Sequence, residues 1–134
     1  MFSEFILRDA SPKVVEHPDG LALQLFVRLN WYRAVPLSCI EEIDLRIDDT
    51  PLDRSAMTVA LRGEGVAFSA LADADDQWWF PLDPALVTAC LPENMARGRH
   101  RLSYLIKTRV PYFPQAPDGR WRTLDDLASI EVTL

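Results

Sequence analysis

Apolar residues recur at every second position over long stretches, a spacing that lines one face of an extended strand rather than the stripe of a helix. From Leu21 the odd positions Leu21, Leu23, Leu25, Val27, Leu29 and Trp31 are all apolar, while the even ones include Gln24, Arg28 and Asn30. A long strand with a single core face is predicted there. Leu102, Tyr104, Ile106 and Thr108 alternate with Arg101, Ser103, Lys107 and Arg109, which predicts a second long strand opened by Gly98.

Shorter runs repeat the pattern. Ile43, Leu45 and Ile47 alternate with Asp44, Arg46 and Asp48, and Asp49, Thr50 and Pro51 supply turn chemistry. Met57, Val59 and Leu61 lead to a tight hairpin at Gly63-Glu64-Gly65, with a returning strand over 66–69. Another hairpin is predicted at Pro18-Asp19-Gly20, and Ile130, Val132 and Leu134 form a last strand. Helical candidates are confined to 37–42 and 123–128, the latter with a Thr cap but under two turns.

About seven to nine strands with almost no amphipathic helix predict an all-β chain. The expected architecture is a two-sheet antiparallel β-sandwich with one or two short helical turns. A barrel would share the pattern, but uneven strand lengths and 10 prolines suit sheet edges and connections. Without a linker or low-complexity stretch, 1–134 reads as a single domain, large enough to bury roughly two thirds of the surface of its unfolded form.

The formal net charge is -6, from 20 acidic and 14 basic residues, with no basic run to neutralise phosphates. Nucleic acid is therefore not expected as a partner. No apolar run approaches the ~20 residues of a membrane helix. The first nine residues lack the basic start and small-residue cleavage site of a secretory leader, so a cytoplasmic location is expected. Cys39 and Cys90 are too few for a disulfide framework and are not at metal-ligand spacing; both are expected reduced, as small apolar groups.

Chemistry-bearing patterns are sparse. His17 and His100 sit beside turns with no ligand or carboxylate two to four residues on, so no metal role is expected. No nucleophile elbow surrounds Ser38, Ser55, Ser69 or Cys90, and the glycines form no phosphate loop. The doublets Glu41-Glu42, Asp48-Asp49, Asp75-Asp76 and Asp125-Asp126 would point to opposite faces of a strand, and are expected as solvated charges. Neither a catalytic residue nor a cofactor is assigned to this chain.

Aromatic residues stand out instead. Trp31, Tyr32, Trp78, Trp79, Phe80, Tyr112, Phe113 and Trp121 gather at strand ends and loops, several beside Arg33, Arg109, Arg120 or Arg122. Rings and guanidinium groups are enriched at binding hot spots, although rings also cap cores. The ring-rich segment 112–122, with Pro114, Pro117 and Gly119, suits a contact loop. Val27 to Tyr32 and Thr108 to Phe113 echo one another as strands ending in paired aromatics, which an across-sandwich relation would bring together.

The run Tyr32-Arg33-Ala34-Val35-Pro36-Leu37-Ser38, within 26–43, resembles the small beta subunit of bacterial C-glycoside deglycosidases. Trp78-Trp79-Phe80, Gly98-Arg99-His100-Arg101-Leu102 and Arg109-Val110-Pro111-Tyr112-Phe113-Pro114 extend the likeness from about Leu21 to the C-terminus. The chain departs from the pattern at Asn30 and Trp31 and in a longer loop after Pro111. The resemblance implies a β-sandwich accessory subunit paired with a larger TIM-barrel alpha subunit. That partner would hold a divalent metal, expected to be manganese, and the acid-base groups. The complex would cleave the carbon-carbon bond between a 3-oxo-sugar and an aromatic, flavonoid-type aglycone. Tyr32, Arg33, Pro36, Leu37, Ser38 and Arg109 are then expected at or near the partner contact, where Arg33 and Arg109 either form interface ion pairs or cap the sheet edge. Tyr112, Phe113 and Trp121 are expected on the aglycone side. The rival expectation is a stand-alone carbohydrate-binding β-sandwich whose rings stack on sugars.

Overall fold

A computed structural model describes every residue except Met1, Asp19, Glu64, 111–116 and Trp121. The described strands are β1 (Lys13–His17), β2 (Gly20–Val27), β3 (Val35–Pro36), β4 (Ile40–Ile47), β5 (Thr50–Pro51), β6 (Thr58–Ala60), β7 (Val66–Ala67), β8 (Trp78–Trp79), β9 (Ala85–Cys90), β10 (Arg99–Arg109) and β11 (Thr123–Thr133). They form a five-stranded sheet in the order β1-β2-β9-β6-β7, a four-stranded sheet in the order β11-β10-β4-β5, and the ribbon β3-β8. Every pairing is antiparallel.

The two large sheets enclose one core, as the period-two pattern predicts. Leu23, Leu25 and Val27 of β2 meet Leu45 and Ile47 of β4 and Leu102, Tyr104 and Ile106 of β10 in a single buried cluster. Directional ladders fix the register, and a slip of one residue would turn each of these apolar sets to water. Leu29 and Trp31 stay buried after the chain has left the ladder, whereas Leu21, at the other end of β2, is half exposed.

Four local expectations are corrected. The 123–128 helix is instead the first half of β11, whose eleven residues pair without a break from Thr123↔Arg109 to Thr133↔Arg99. A six-residue helix cannot offset its own nucleation against so long a ladder. The segment 37–42 divides into a 3₁₀ turn over Leu37–Cys39 and the start of β4. The returning strand over 66–69 ends after Ala67, where a 3₁₀ turn over Phe68–Asp73 begins. Finally, the hairpin between β4 and β5 turns at Asp48 and Asp49, with φ of 50° and 70°. Two consecutive left-handed residues match the twist of the flanking strands, and Asp tolerates that region better than most residues.

Candidate functional site

The loop that follows β2 builds an aromatic face at one end of the sandwich. Phe26 and Arg28 donate their amides to Ala10 and Ile6 carbonyls at 2.8 and 2.9 Å, which seats the N-terminal turn against the strand. Ile6 is buried there, and Phe5 is left at the surface edge. The Arg28 guanidinium lies over the Phe5 ring at 5.3 Å and donates to the Arg8 and Leu82 carbonyls at 3.3 and 3.2 Å. Arg28 thus joins the N-terminal turn to the loop after β8.

Between those segments lies an open groove of about 810 Å³, lined by Phe5, Trp31, Tyr32, Arg62, Phe80 and Leu82 among others. Tyr32, Phe80 and Leu82 are 61%, 44% and 79% exposed. Arginines ring it: Arg62 stands over Phe80 at 5.3 Å and pairs with Asp83 at 2.7 Å, and Arg33 lies 5.6 Å from the Tyr32 ring centroid. Trp31 and Tyr32 pack at 4.4 Å with their planes tilted.

Below this face a buried polar cluster joins the loop after β2 to the four-stranded sheet. The Thr108 hydroxyl donates to Asn30 Oδ1 at 2.6 Å; Asn30 Nδ2 donates to Asp126 Oδ2 at 2.9 Å and to the Leu124 carbonyl at 3.0 Å. Asp126 Oδ1 accepts the Phe2 amide at 3.1 Å. Asn30 and Thr108 are fully buried and Asp126 nearly so. The register between β10 and β4 slips beside Thr108, pairing Lys107 with Glu42 but Thr108 with Ile40, and such bulges re-aim side chains. Burial, reinforced by the Asp126 charge, pushes the nearby Tyr104 phenol well above its ordinary pKa.

The expected contact residues separate. Tyr32 and Arg33 are exposed on the groove rim. Pro36 pairs with Trp78 in the β3-β8 ribbon, and Ser38 donates its amide to the Ala74 carbonyl at 3.2 Å. Leu37 is fully buried in this chain's own core and presents no side-chain surface. Arg109 is engaged within the chain, donating to the Ser38 carbonyl at 3.3 Å and lying 3.8 Å from the Glu41 carboxylate. Tyr112, Phe113 and Trp121 lie outside the described residues. Asn30 and Thr108, which precede the two aromatic pairs in the sequence, meet through a hydrogen bond.

One acidic doublet departs from expectation, and one histidine gains a carboxylate that its local spacing does not show. Asp126 is not a solvated charge, as just described. Asp48 accepts the Arg101 amide at 2.8 Å and faces His100 Nδ1 at 2.5 Å, while His100 Nε2 faces the Ala96 carbonyl at 2.5 Å. Carboxylate and carbonyl oxygens only accept, so a doubly protonated imidazolium satisfies both. The carboxylate comes from 52 residues away, outside any local spacing. Phe5, Arg28 and Leu82 were absent from the sequence-based site; the one available signal was the apolar content of the first residues and of Phe80-Pro81-Leu82. Among the described residues no three His, Cys, Asp or Glu side chains gather as metal ligands. Cys39 and Cys90 are free thiols, and no described helix is long and apolar enough to cross a membrane.

A family model for the C-glycoside deglycosidase beta subunit matches residues 2–112. The 3'-dehydrocarminate deglycosidase beta subunit of a Microbacterium sp is 37% identical over 118 residues, 87% of this chain and 84% of that protein. C-glycoside deglycosidase beta subunits of Microbacterium trichothecenolyticum and Arthrobacter globiformis are 33% and 31% identical over 94 and 105 residues. Those alignments take in 70% and 75% of this chain and 71% and 79% of the relatives.

Proposed function

The chain belongs to the C-glycoside deglycosidase beta subunit family, and from that premise we propose that it is the accessory subunit of a heteromeric deglycosidase, docked on a larger TIM-barrel alpha subunit through its aromatic face. The observation that carries this reading is the groove: three half-exposed or exposed apolar side chains and several arginines converge at one end of an otherwise acidic molecule. Such a composition is typical of hot spots that a protein partner desolvates.

In the proposed complex the reaction is cleavage of the carbon-carbon bond between a 3-oxo-sugar and an aromatic aglycone. A ketone acidifies the neighbouring C–H, so a base can take that proton while an acid protonates the aryl carbon as its bond to the sugar breaks, which leaves an alkene in the sugar ring. The described residues of this chain do not fit a metal, and the divalent ion and acid-base groups are assigned to the partner on the strength of the resemblance. Placement of Tyr112, Phe113 and Trp121 toward the aglycone rests on the same ground. In this chain Tyr32, Phe5 and Phe80 bind and exclude water, while Arg28 and Arg62 hold the walls.

Coexpression with the alpha subunit tests the docking. Tyr32→Ala is expected to weaken the complex by about 2 kcal/mol, roughly thirtyfold in Kd by calorimetry. Unchanged affinity in both Tyr32→Ala and Phe80→Ala would remove this face from the interface. Saturable binding of a glycoside by the chain alone, with no affinity for the alpha subunit, would favour a carbohydrate-binding module instead.

A further inference from the structure

We infer that Asn30, Thr108 and Asp126 are positioning residues that fix, from inside the protein, how the segments of the aromatic face stand relative to one another. The inference rests on the docking reading above.

Two members of the cluster reach segments of that face, and the third anchors them to β10. Asn30 immediately precedes Trp31 and Tyr32. Asp126, on β11, holds the Phe2 amide at the head of the N-terminal turn that carries Phe5. Thr108 sits where β10 ends, one residue before Arg109. Apolar contacts are non-directional, and although the Phe26 and Arg28 amides seat the N-terminal turn on β2, the cluster adds the directional tie to β10 and β11. Hydrogen bonds are directional, and here they interlock: the Asn30 carboxamide spends its oxygen on Thr108 and its nitrogen on both Asp126 and Leu124. Turning any one side chain leaves another buried polar group unpaired, so the cluster has one low-energy arrangement. A partner that meets a face already held in shape loses less conformational freedom on binding.

The test uses the full chain, the alpha subunit as binding probe, and the near-isosteric variants Thr108→Val and Asp126→Asn, with Tyr32→Ala as the control for the face itself. Amide hydrogen exchange is expected to quicken at Phe5, Tyr32 and Arg33 while Leu45, Val87 and Leu102 keep their protection. Affinity for the alpha subunit is expected to fall roughly tenfold, the equivalent of one unsatisfied buried group. The double variant should be no weaker than the weaker single variant, because the residues act as a unit.

Wild-type affinity in both triad variants, with Tyr32→Ala impaired, would overturn the positioning role and leave the docking reading standing. Wild-type affinity in Tyr32→Ala and Phe80→Ala would overturn the docking reading and the positioning role with it. Uniform loss of protection across the whole sandwich would reduce the cluster to a structural one. If both variants fail to fold, the wild-type Asn30 side-chain amide decides: slow proton exchange supports the interlock, and exchange at the rate of a solvated carboxamide overturns it.

Discussion

Strand β10 ends in a polar cluster at each terminus, and the two differ in kind. Near its end, Thr108 joins Asn30 and Asp126 inside the protein; near its start, His100 joins Asp48 at the surface, where the aspartate side chain is 54% exposed. Eight residues separate them, roughly 26 Å at the rise of a strand. The buried cluster is neutral but for one carboxylate, and its bonds from Asn30 to Thr108 and to Asp126 are shut off from water. The surface clasp is an ion pair that water and protons can reach. The first fixes geometry at the aromatic end, whereas the second ties the loop at Ala96 and the Asp48-Asp49 turn together under conditions set by pH.

The sharpest contrast comes from deleting a carboxylate at each end. Asp126→Ala removes the acceptor of the Phe2 amide and one of the two acceptors of Asn30 Nδ2, with an expected loss of about 2 kcal/mol in urea unfolding. Asp48→Ala exposes its former donors to water and should cost much less. Equal losses would erase the distinction between the ends.

A pH series separates the ends without mutation. The bond to Asp48, then the one to the Ala96 carbonyl, raises the His100 pKa above its ordinary 6.5. The Arg101 amide, then His100, lowers that of Asp48 below 3.8. A raised histidine contributes fully below its unfolded value and loses that contribution as pH climbs through the folded one. A lowered aspartate contributes above its unfolded value and loses it as pH falls through the folded one. The clasp therefore stabilises most between about pH 4 and 6.5 and weakens on the alkaline side. Arg99, Arg101 and Glu131 are the other charged groups that line the same hollow. Urea midpoints for wild type and His100→Gln should converge as pH rises from 6 to 9. Parallel profiles would mean that the imidazolium contributes nothing.

What the sequence revealed follows the same division. Strand faces were legible because burial imposes a period of two, so Leu23 to Val27, Ile43 to Ile47 and Leu102 to Ile106 could be assigned to the core from spacing alone. Tyr32 and Phe80 were legible only as candidates beside Trp31 and Trp79, which the structure buries, because a place at a strand end does not tell a contact ring from a core cap. The two polar clusters were not legible, since all their bonds but that of His100 to Ala96 join residues 52 to 124 positions apart. Asp126 was misread for a second reason: beside Asp125 it looked like a loop doublet, whereas on β11 only one of the two turns inward. Leu37, part of the motif that carries the family resemblance, is buried in the core, a position that the motif alone does not display.

The smallest effect belongs to Arg62, and it discriminates between holding a fold and presenting a face. Its pair with Asp83 at 2.7 Å is solvated on both sides, with side chains 65% and 45% exposed. Exposed pairs of this kind contribute less than about 1 kcal/mol and weaken with salt. Arg62→Ala should therefore shift the urea midpoint barely beyond error. At the groove, however, the same side chain covers Phe80 at 5.3 Å, and a docked subunit would exclude the water that screens it. Affinity for the alpha subunit should fall severalfold in Arg62→Ala while stability holds. If stability falls and affinity does not, Arg62 braces the loop after β8, and the docking face ends at Tyr32 and Phe5.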